Sequence, residues 1–433
     1  MKAKIFYGAG KYAYNNMESW MANGEVPDCI CDSDVSMHHT FFEYKTTKVK
    51  CLPQKILPFT EAINKYNDYE VVITSINFYV EIFDYLCELG VEKHNIRSVF
   101  MNGIPIKPFT YVSGYLSGFR RIIEALPEVR DSLIDTSLKS TCPILFTQED
   151  ITGKYDLYDS HLKFFETLTE LFNFTGKRVL EIGGSNYPYS FIDKMDVEKW
   201  LCVDYPNWTS NRDEGYTSDG NHYERPVPIF KDEINVKAFL NNPDEKYGIF
   251  AKLTSSIGNE LNDHFDIVVS KDSFEHIFTI DETLKKIYLS LRQGGVLFSS
   301  FRLVYSSSKG NHFRFKMPDS SYISYSDINW LPPYVHLTHS FKDIYIELLK
   351  HFNENEINIE ELAHDIKRHS SINKLFYEDY QFLLNRSDFK YKYIMSPTHY
   401  DFLTTEMLEK LMQLYPGYKA FDAVGAMLLA QKV

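Results

Sequence analysis

Residues 178–186 read Arg-Val-Leu-Glu-Ile-Gly-Gly-Ser-Asn, and this stretch restricts the fold more than any other. The apolar run of Val179, Leu180 and Ile182 suits a strand buried in a parallel sheet. Gly183 and Gly184 then turn the chain, and without Cβ atoms they let a ligand approach the backbone. The next apolar run, 200–204, ends in Asp204, an acid placed to accept from two ribose hydroxyls. Strand, glycine turn, strand and acid together make a nucleoside-binding half-site, the alternative being an ordinary buried strand and turn. A dinucleotide fingerprint, G-x-G-x-x-G/A, would need a third glycine that is absent here. Glu181, two residues before the turn, is wrong for a phosphate and right for an ammonium.

The 433 residues are enough for two or three domains. A net charge of −13 disfavours nucleic acid and anionic membrane surfaces as partners. Cys29, Cys31, Cys51, Cys87, Cys142 and Cys202 are scattered with no zinc spacing, which fits reduced thiols. No apolar run reaches membrane-span length. Met1-Lys2-Ala3-Lys4 leads directly into a strand-like run, so no signal peptide is expected and the location expected is cytoplasmic.

The first hundred or so residues carry a separate α/β pattern. A strand at 4–7 is followed by Gly8-Ala9-Gly10-Lys11-Tyr12-Ala13, a match to G-x-G-x-x-A, and then by a helix to about residue 23. A second strand ends in Asp32, further strands are expected at 70–75 and 96–100, and a helix at 80–89. Gly8, Gly10 and Asp32 are therefore candidates for a second nucleotide site; the alternative is a scaffold that keeps the turn and binds nothing. This part resembles the small Rossmann-like domains of bacterial surface-polysaccharide enzymes. No catalytic partner for a dehydrogenase accompanies it.

The boundaries expected are 1–108 for this domain, 109–159 for a linker with helices, and 160–433 for a second domain. An amphipathic helix at 161–172 precedes the organising strand. Downstream come Phe265-Asp266-Ile267-Val268-Val269, the segment Asp272-Ser273-Phe274-Glu275-His276, and Arg292-Gln293-Gly294-Gly295-Val296-Leu297. With the glycine turn, these motifs resemble the class I S-adenosylmethionine-dependent methyltransferases (E/D-x-G-x-G-x-G, F-D-x-V, E/D-x-x-E-H and L-x-x-G-G-x-L). Ser185 and Tyr187 stand where that family's second and third glycines usually do. The fold expected is α/β: two doubly wound Rossmann-like domains, the second a class I methyltransferase fold closed by a terminal hairpin of strands at 390–395 and 426–433. A helical insertion at about 302–389 would follow the fifth strand.

The resemblance implies S-adenosylmethionine as cofactor, held by Glu181, Gly183, Gly184, Ser185, Asp204 and Asp272. His276 is the candidate general base for an acceptor hydroxyl, the alternative being a helix-start histidine hydrogen-bonded to the backbone. Some relatives hold a divalent cation at this segment, so Asp272, Glu275 and His276, read as i, i+3 and i+4 of a helix, are candidate ligands for Mg²⁺ or Mn²⁺. A distal ligand would come from His312, His336 or His339. The aromatic run 330–334 offers either a face for a sugar or a rigid aromatic lid corner. The acceptor expected is a sugar, nucleotide sugar or glycan; a homo-oligomer is compatible with the sequence. The competing class is an NAD-dependent nucleotide-sugar-modifying enzyme, or a non-catalytic nucleotide-binding scaffold, centred on the first domain.

Overall fold

The computed structural model describes residues 2–22, 26–42, 54–75, 79–98, 134–140, 144, 159–183, 189–204, 228–302, 304–318, 320–325, 331–354, 357–368, 371–397 and 403–433. The chain divides into two compact units, each assembled from separate segments. One comprises Met1–Tyr115, Tyr305–Ser370 and Tyr400–Val424; the other comprises Leu116–Val304, Ser371–His399 and Gly425–Val433.

In the first unit, β1 (Ala3–Tyr7) pairs in parallel with β2 (Cys29–Cys31) and β5 (Tyr69–Ile73). With β3 (Phe41–Phe42), β4 (Gln54–Leu57) and β6 (Ile96–Ser98) the sheet order is β3-β4-β2-β1-β5-β6. Only β3 runs antiparallel to its neighbour, at the edge. Helix α1 (Lys11–Ala22) lays Ala13, Met17 and Trp20 on Phe6 and Val72, an i, i+4, i+7 stripe burying one face. Helices α2 (Phe59–Lys65) and α3 (Tyr79–Glu88) follow β4 and β5. The sequence reading lacks β4 and α2: Gln-Lys-Ile-Leu is too short and too mixed to show a period.

In the second unit, α4 (Asp159–Leu171) buries Phe164, Phe165, Leu168 and Leu171, with Phe164 packed 5.7 Å from Phe298 of the sheet. The strands are β7 (Arg178–Ile182), β8 (Lys199–Asp204), β9 (Ile229–Phe230), β10 (Tyr247–Ala251), β11 (Phe265–Lys271) and β12 (Leu291–Arg302). Between them lie α5 (Tyr189–Lys194), α6 (Glu233–Asn241) and α7 (Ile280–Ser290). After β12 the chain enters the first unit, where a small hairpin of β13 (Arg314–Lys316) and β14 (Tyr322–Ser324) precedes α8 (Val335–Thr338), α9 (Phe341–Leu348) and α10 (Ile359–Arg368). These share a core of Phe313, Ile344, Leu348, Leu362 and Ile366. The chain rejoins the second unit through α11 (Tyr377–Arg386) and β15 (Tyr393–Pro397). It leaves again for α12 (Thr405–Leu414) and returns as β16 (Gly425–Gln431).

The second sheet has the order β15-β16-β12-β11-β7-β8-β10-β9. All pairs are parallel except those of β16, which is antiparallel to both β12 and β15. After β7 the chain builds outward through β8 and β10, then crosses back to β11 and β12. The order therefore reverses at β7, and in such sheets ligands bind at the carboxyl ends beside the reversal. Of the linker expected at 109–159, residues 134–140, 144 and 159 are described, with a 3₁₀ turn at Thr136–Leu138; the rest lies outside the described residues.

Candidate functional site

Gly183 stands at the carboxyl end of β7 with φ +70°, a conformation that side chains other than glycine rarely adopt. Its N–H donates to Val203 O at 2.8 Å, and Ser270 Oγ donates to Ile182 O at 2.9 Å. A Cβ at 183 would run into Ser273 Oγ and lie 2.8 Å from Ser273 Cβ. Gly183 thus packs directly against the segment that follows β11. Asp204, half-buried, ends the neighbouring β8. Gly184 and Ser185 lie outside the described residues, as does the polar stretch 205–227.

Glu181 requires a correction. It was expected beside the turn, facing an ammonium. It is instead 2% exposed, one strand residue below the end of β7, and accepts from Trp200 Nε1 at 2.7 Å. Alternation along the strand places it on the same face as Val179, whose strand partners are the core residues Trp200 and Ile267. Its link to the turn runs through the strand, not through an exposed carboxylate.

Beyond β11 lies a compact group of charges. Lys271, the last residue of β11 and itself buried, pairs with Asp272, whose carboxylate also lies 3.8 Å from Arg302 Nε. Burial pulls the Lys271 ammonium below its ordinary range, with Asp272 opposing. Glu275 is buried, its Oε2 has no hydrogen-bond partner, and its Oε1 accepts a long contact from Arg302 N at 3.4 Å. Burial first, then the neighbouring Asp272 charge, pushes its pKa up to about 8. His276 is exposed, and its Nδ1 is 2.8 Å from Ser371 O. A carbonyl only accepts, so Nδ1 carries a proton, and in the neutral ring the lone pair is on Nε2.

The cation triad is therefore not formed. Asp272 has φ +48° and ends the strand, and Phe274–His276 is a single 3₁₀ turn. The i, i+3, i+4 face requires an α-helix; at three residues per turn the i+4 side chain leaves that face. Asp272 turns to two cations, Glu275 inward and His276 outward. Among the described residues no group of three or more His, Cys, Asp or Glu side chains is placed to hold a metal ion. His336 was proposed as a distal ligand, but it is buried with Nε2 donating to Tyr305 O at 2.8 Å, and burial takes its pKa down to about 4. The sugar-stacking role of run 330–334 is likewise corrected at Tyr334. That ring is fully buried and its hydroxyl donates to Phe421 O at 3.0 Å.

Around Gly8 and Gly10 the acid at the second strand's end serves the loop itself. Asp32 Oδ2 accepts from Ala9 N at 2.5 Å and Oδ1 from Asp34 N at 2.9 Å. Thr74 Oγ1 closes the other side, within hydrogen-bond distance of Tyr7 O and Gly8 O (2.8 and 2.6 Å).

One residue that the sequence reading missed is Asn373. Its N–H donates to Glu275 O at 2.8 Å, and its Nδ2 to Phe274 O and Ile277 O at 2.8 and 2.9 Å. Nothing in the local sequence marks it, because its partners lie almost a hundred residues earlier.

No family model and no curated protein sequence matches the chain. Solved structures similar to it include an S-adenosylmethionine-dependent methyltransferase from Mesorhizobium loti, at 10% identity over 63% of this chain and 97% of that one, with TM-score 0.31. A protein from Listeria monocytogenes described as an enzyme of the same kind shares 16% identity over 63% and 96%, with TM-score 0.32. The YcgJ protein of Bacillus subtilis shares 10% over 60% and 92%, with TM-score 0.27. Among the described residues no helix is long and apolar enough to cross a membrane. What the strand order itself establishes is a mixed α/β, Rossmann-like sheet, parallel but for the closing strand that the methyltransferase resemblance implies.

Proposed function

We propose that the chain is an S-adenosylmethionine-dependent methyltransferase that O-methylates a carbohydrate hydroxyl, on a sugar, nucleotide sugar or glycan. The observation that carries this reading is the sheet reversal at β7. There the Gly183 turn, the Asp204 tip and the Lys271–His276 segment come from strands that are neighbours in one sheet. Asp204 suits the two vicinal hydroxyls of a ribose, and the glycine backbone suits a ligand lying across the strand ends. When bound, S-adenosylmethionine supplies an electrophilic methyl group.

The chain's own part is to orient the acceptor and take its proton. With the proton fixed on Nδ1, His276 presents Nε2 to receive the proton of an attacking hydroxyl. Buried Lys271, its partly exposed partner Asp272 and Arg302 hold the base of this segment. A carbohydrate acceptor is supported by the −13 charge, which opposes nucleic acid, and by Ser270-Lys271-Asp272-Ser273 where an Asn-Pro-Pro-Tyr amine-methylation signature would stand. The reading places Gly8, Gly10 and Asp32 in a scaffold, since Asp32 accepts from its own loop.

Calorimetric titration of the full chain with S-adenosylmethionine, S-adenosylhomocysteine and NAD is the first test. The two sulfur compounds bind, and Asp204→Ala weakens them by about 1.5–3 kcal/mol, the scale of a hydrogen bond to a charged group. Transfer of labelled methyl to a panel of methyl glycosides and nucleotide sugars then identifies the acceptor. NAD binding with no response to either sulfur compound would replace this reading with the dehydrogenase class.

A further inference from the structure

We propose that Asn373 is a positioning residue for His276, setting the tautomer and direction of the imidazole through the turn that carries it. The proposal rests on the reading of His276 as the base. The 3₁₀ turn Phe274–His276 has little of its own to hold it, with His276 N donating to Ser273 O at 2.9 Å and Ile277 N to Phe274 O at 3.3 Å. Asn373 supplies the rest. Its N–H and both Nδ2 protons go to the carbonyls of Glu275, Phe274 and Ile277. Its Oδ1 accepts from Leu375 N and from Tyr380 OH, each at 3.1 Å. The side-chain amide thus uses its full capacity of two donors and two lone pairs.

Two residues earlier, Ser371 O takes the Nδ1 proton of His276 at 2.8 Å. One short segment, 371–373, therefore fixes both the turn's backbone and the imidazole's tautomer. The apolar side is closed as well: Phe274 stacks on Phe301 at 5.5 Å, and Phe301 meets Tyr380 at 4.7 Å. Asparagine is the residue this arrangement demands. An aspartate would set a carboxylate oxygen against the carbonyls of Phe274 and Ile277, and an alanine would leave both without their donor.

The test needs no acceptor. In full-length chain labelled with ¹⁵N-histidine, long-range ¹⁵N–¹H spectra report each imidazole's tautomer and pKa, and His276→Gln identifies the His276 signal. The wild-type signal is that of the Nδ1–H form. In Asn373→Asp and Asn373→Ala it moves toward the Nε2–H form that a free imidazole prefers, while S-adenosylmethionine affinity changes less than about twofold. Tyr380→Phe keeps the ring on Phe301, removes only the donor to Oδ1, and gives a smaller shift in the same direction. A lowered melting temperature with an unmoved tautomer in these variants would mean a structural role only and would overturn the proposal.

Turnover on the methyl glycoside panel supplies a second readout. Asn373→Asp lowers it by roughly 10²-fold, the cost of a misplaced group, and by nothing further in a His276→Ala background. Equal losses in both backgrounds would also overturn the proposal. Failure of the wild type to bind S-adenosylmethionine would instead sink the functional reading, and the tautomer result would stand apart from it.

Discussion

Replacing Glu275 by glutamine removes one titrating group from the interior and little else, so its effect on stability can be worked out. The carboxyl is 2% exposed, lacks a partner at Oε2 and faces the Asp272 charge, and its pKa in the fold stands at about 8 against 4.5 for a free side chain. Between those values the unfolded chain releases the proton and the folded chain keeps it. Stability from this group is therefore fully present below pH 4.5, declines as pH rises, and is gone above about pH 8. The slope is about 1.4 kcal/mol per pH unit, so wild type loses roughly 3 kcal/mol relative to Glu275→Gln between pH 5.5 and 8. Urea unfolding of both chains at several pH values in that range measures the difference directly. The histidines that titrate there are common to both and cancel. Parallel curves for the two chains would show that Glu275 ionises like an exposed carboxylate, and the buried-acid argument would fall.

Three further outcomes follow from contacts described above. Gly183→Ala meets both a positive φ and Ser273, so it costs at least about 1–2 kcal/mol by thermal unfolding and removes S-adenosylmethionine binding. Ser273→Ala does not restore either, because the Cβ at 273 remains; restoration would refute the packing account. Trp200→Phe deletes the indole donor to Glu181 and costs roughly 1–3 kcal/mol in urea, whereas an unchanged midpoint would show that the bond contributes nothing. Asp32→Ala loosens the first glycine loop by roughly 1–2 kcal/mol yet leaves S-adenosylmethionine affinity intact; a loss of that affinity would mean the loop is not merely a scaffold.

The elements legible in the sequence are those whose burial is local and periodic. The run 178–182 coincides with β7, and the apolar spacing of 161–172 falls within one residue or two of α4, because each buries a regular face. α11 escaped notice because its buried stripe is Tyr377, Tyr380 and Leu384, two of them aromatics that read equally well as surface. At the site, residue types were legible and directions were not. Glu275 and His276 are adjacent in sequence, yet one points into the core and the other to solvent. A left-handed Asp272 ends the strand and a 3₁₀ turn replaces the expected helix. Neither of those is a property of residue spacing. Asn373 depends wholly on chain return, and no local pattern encodes that.

The place of β16 sets a timetable for synthesis. Its strand lies between β12 and β15, but it emerges roughly 120 residues after β12, which at 5–20 residues per second means about 6–25 s. Through that interval the edge of β12, seven residues of which will pair with β16, stays open while the intervening helices are still being made. Leu297, Phe298 and Phe301 lie on that edge, an apolar strand with unpaired N–H and C=O groups that would accept a strand from another nascent chain. Yield in a cell therefore depends on how well that edge is shielded before residue 425 arrives, and slowing elongation would lower yield before it changed the stability of the finished fold.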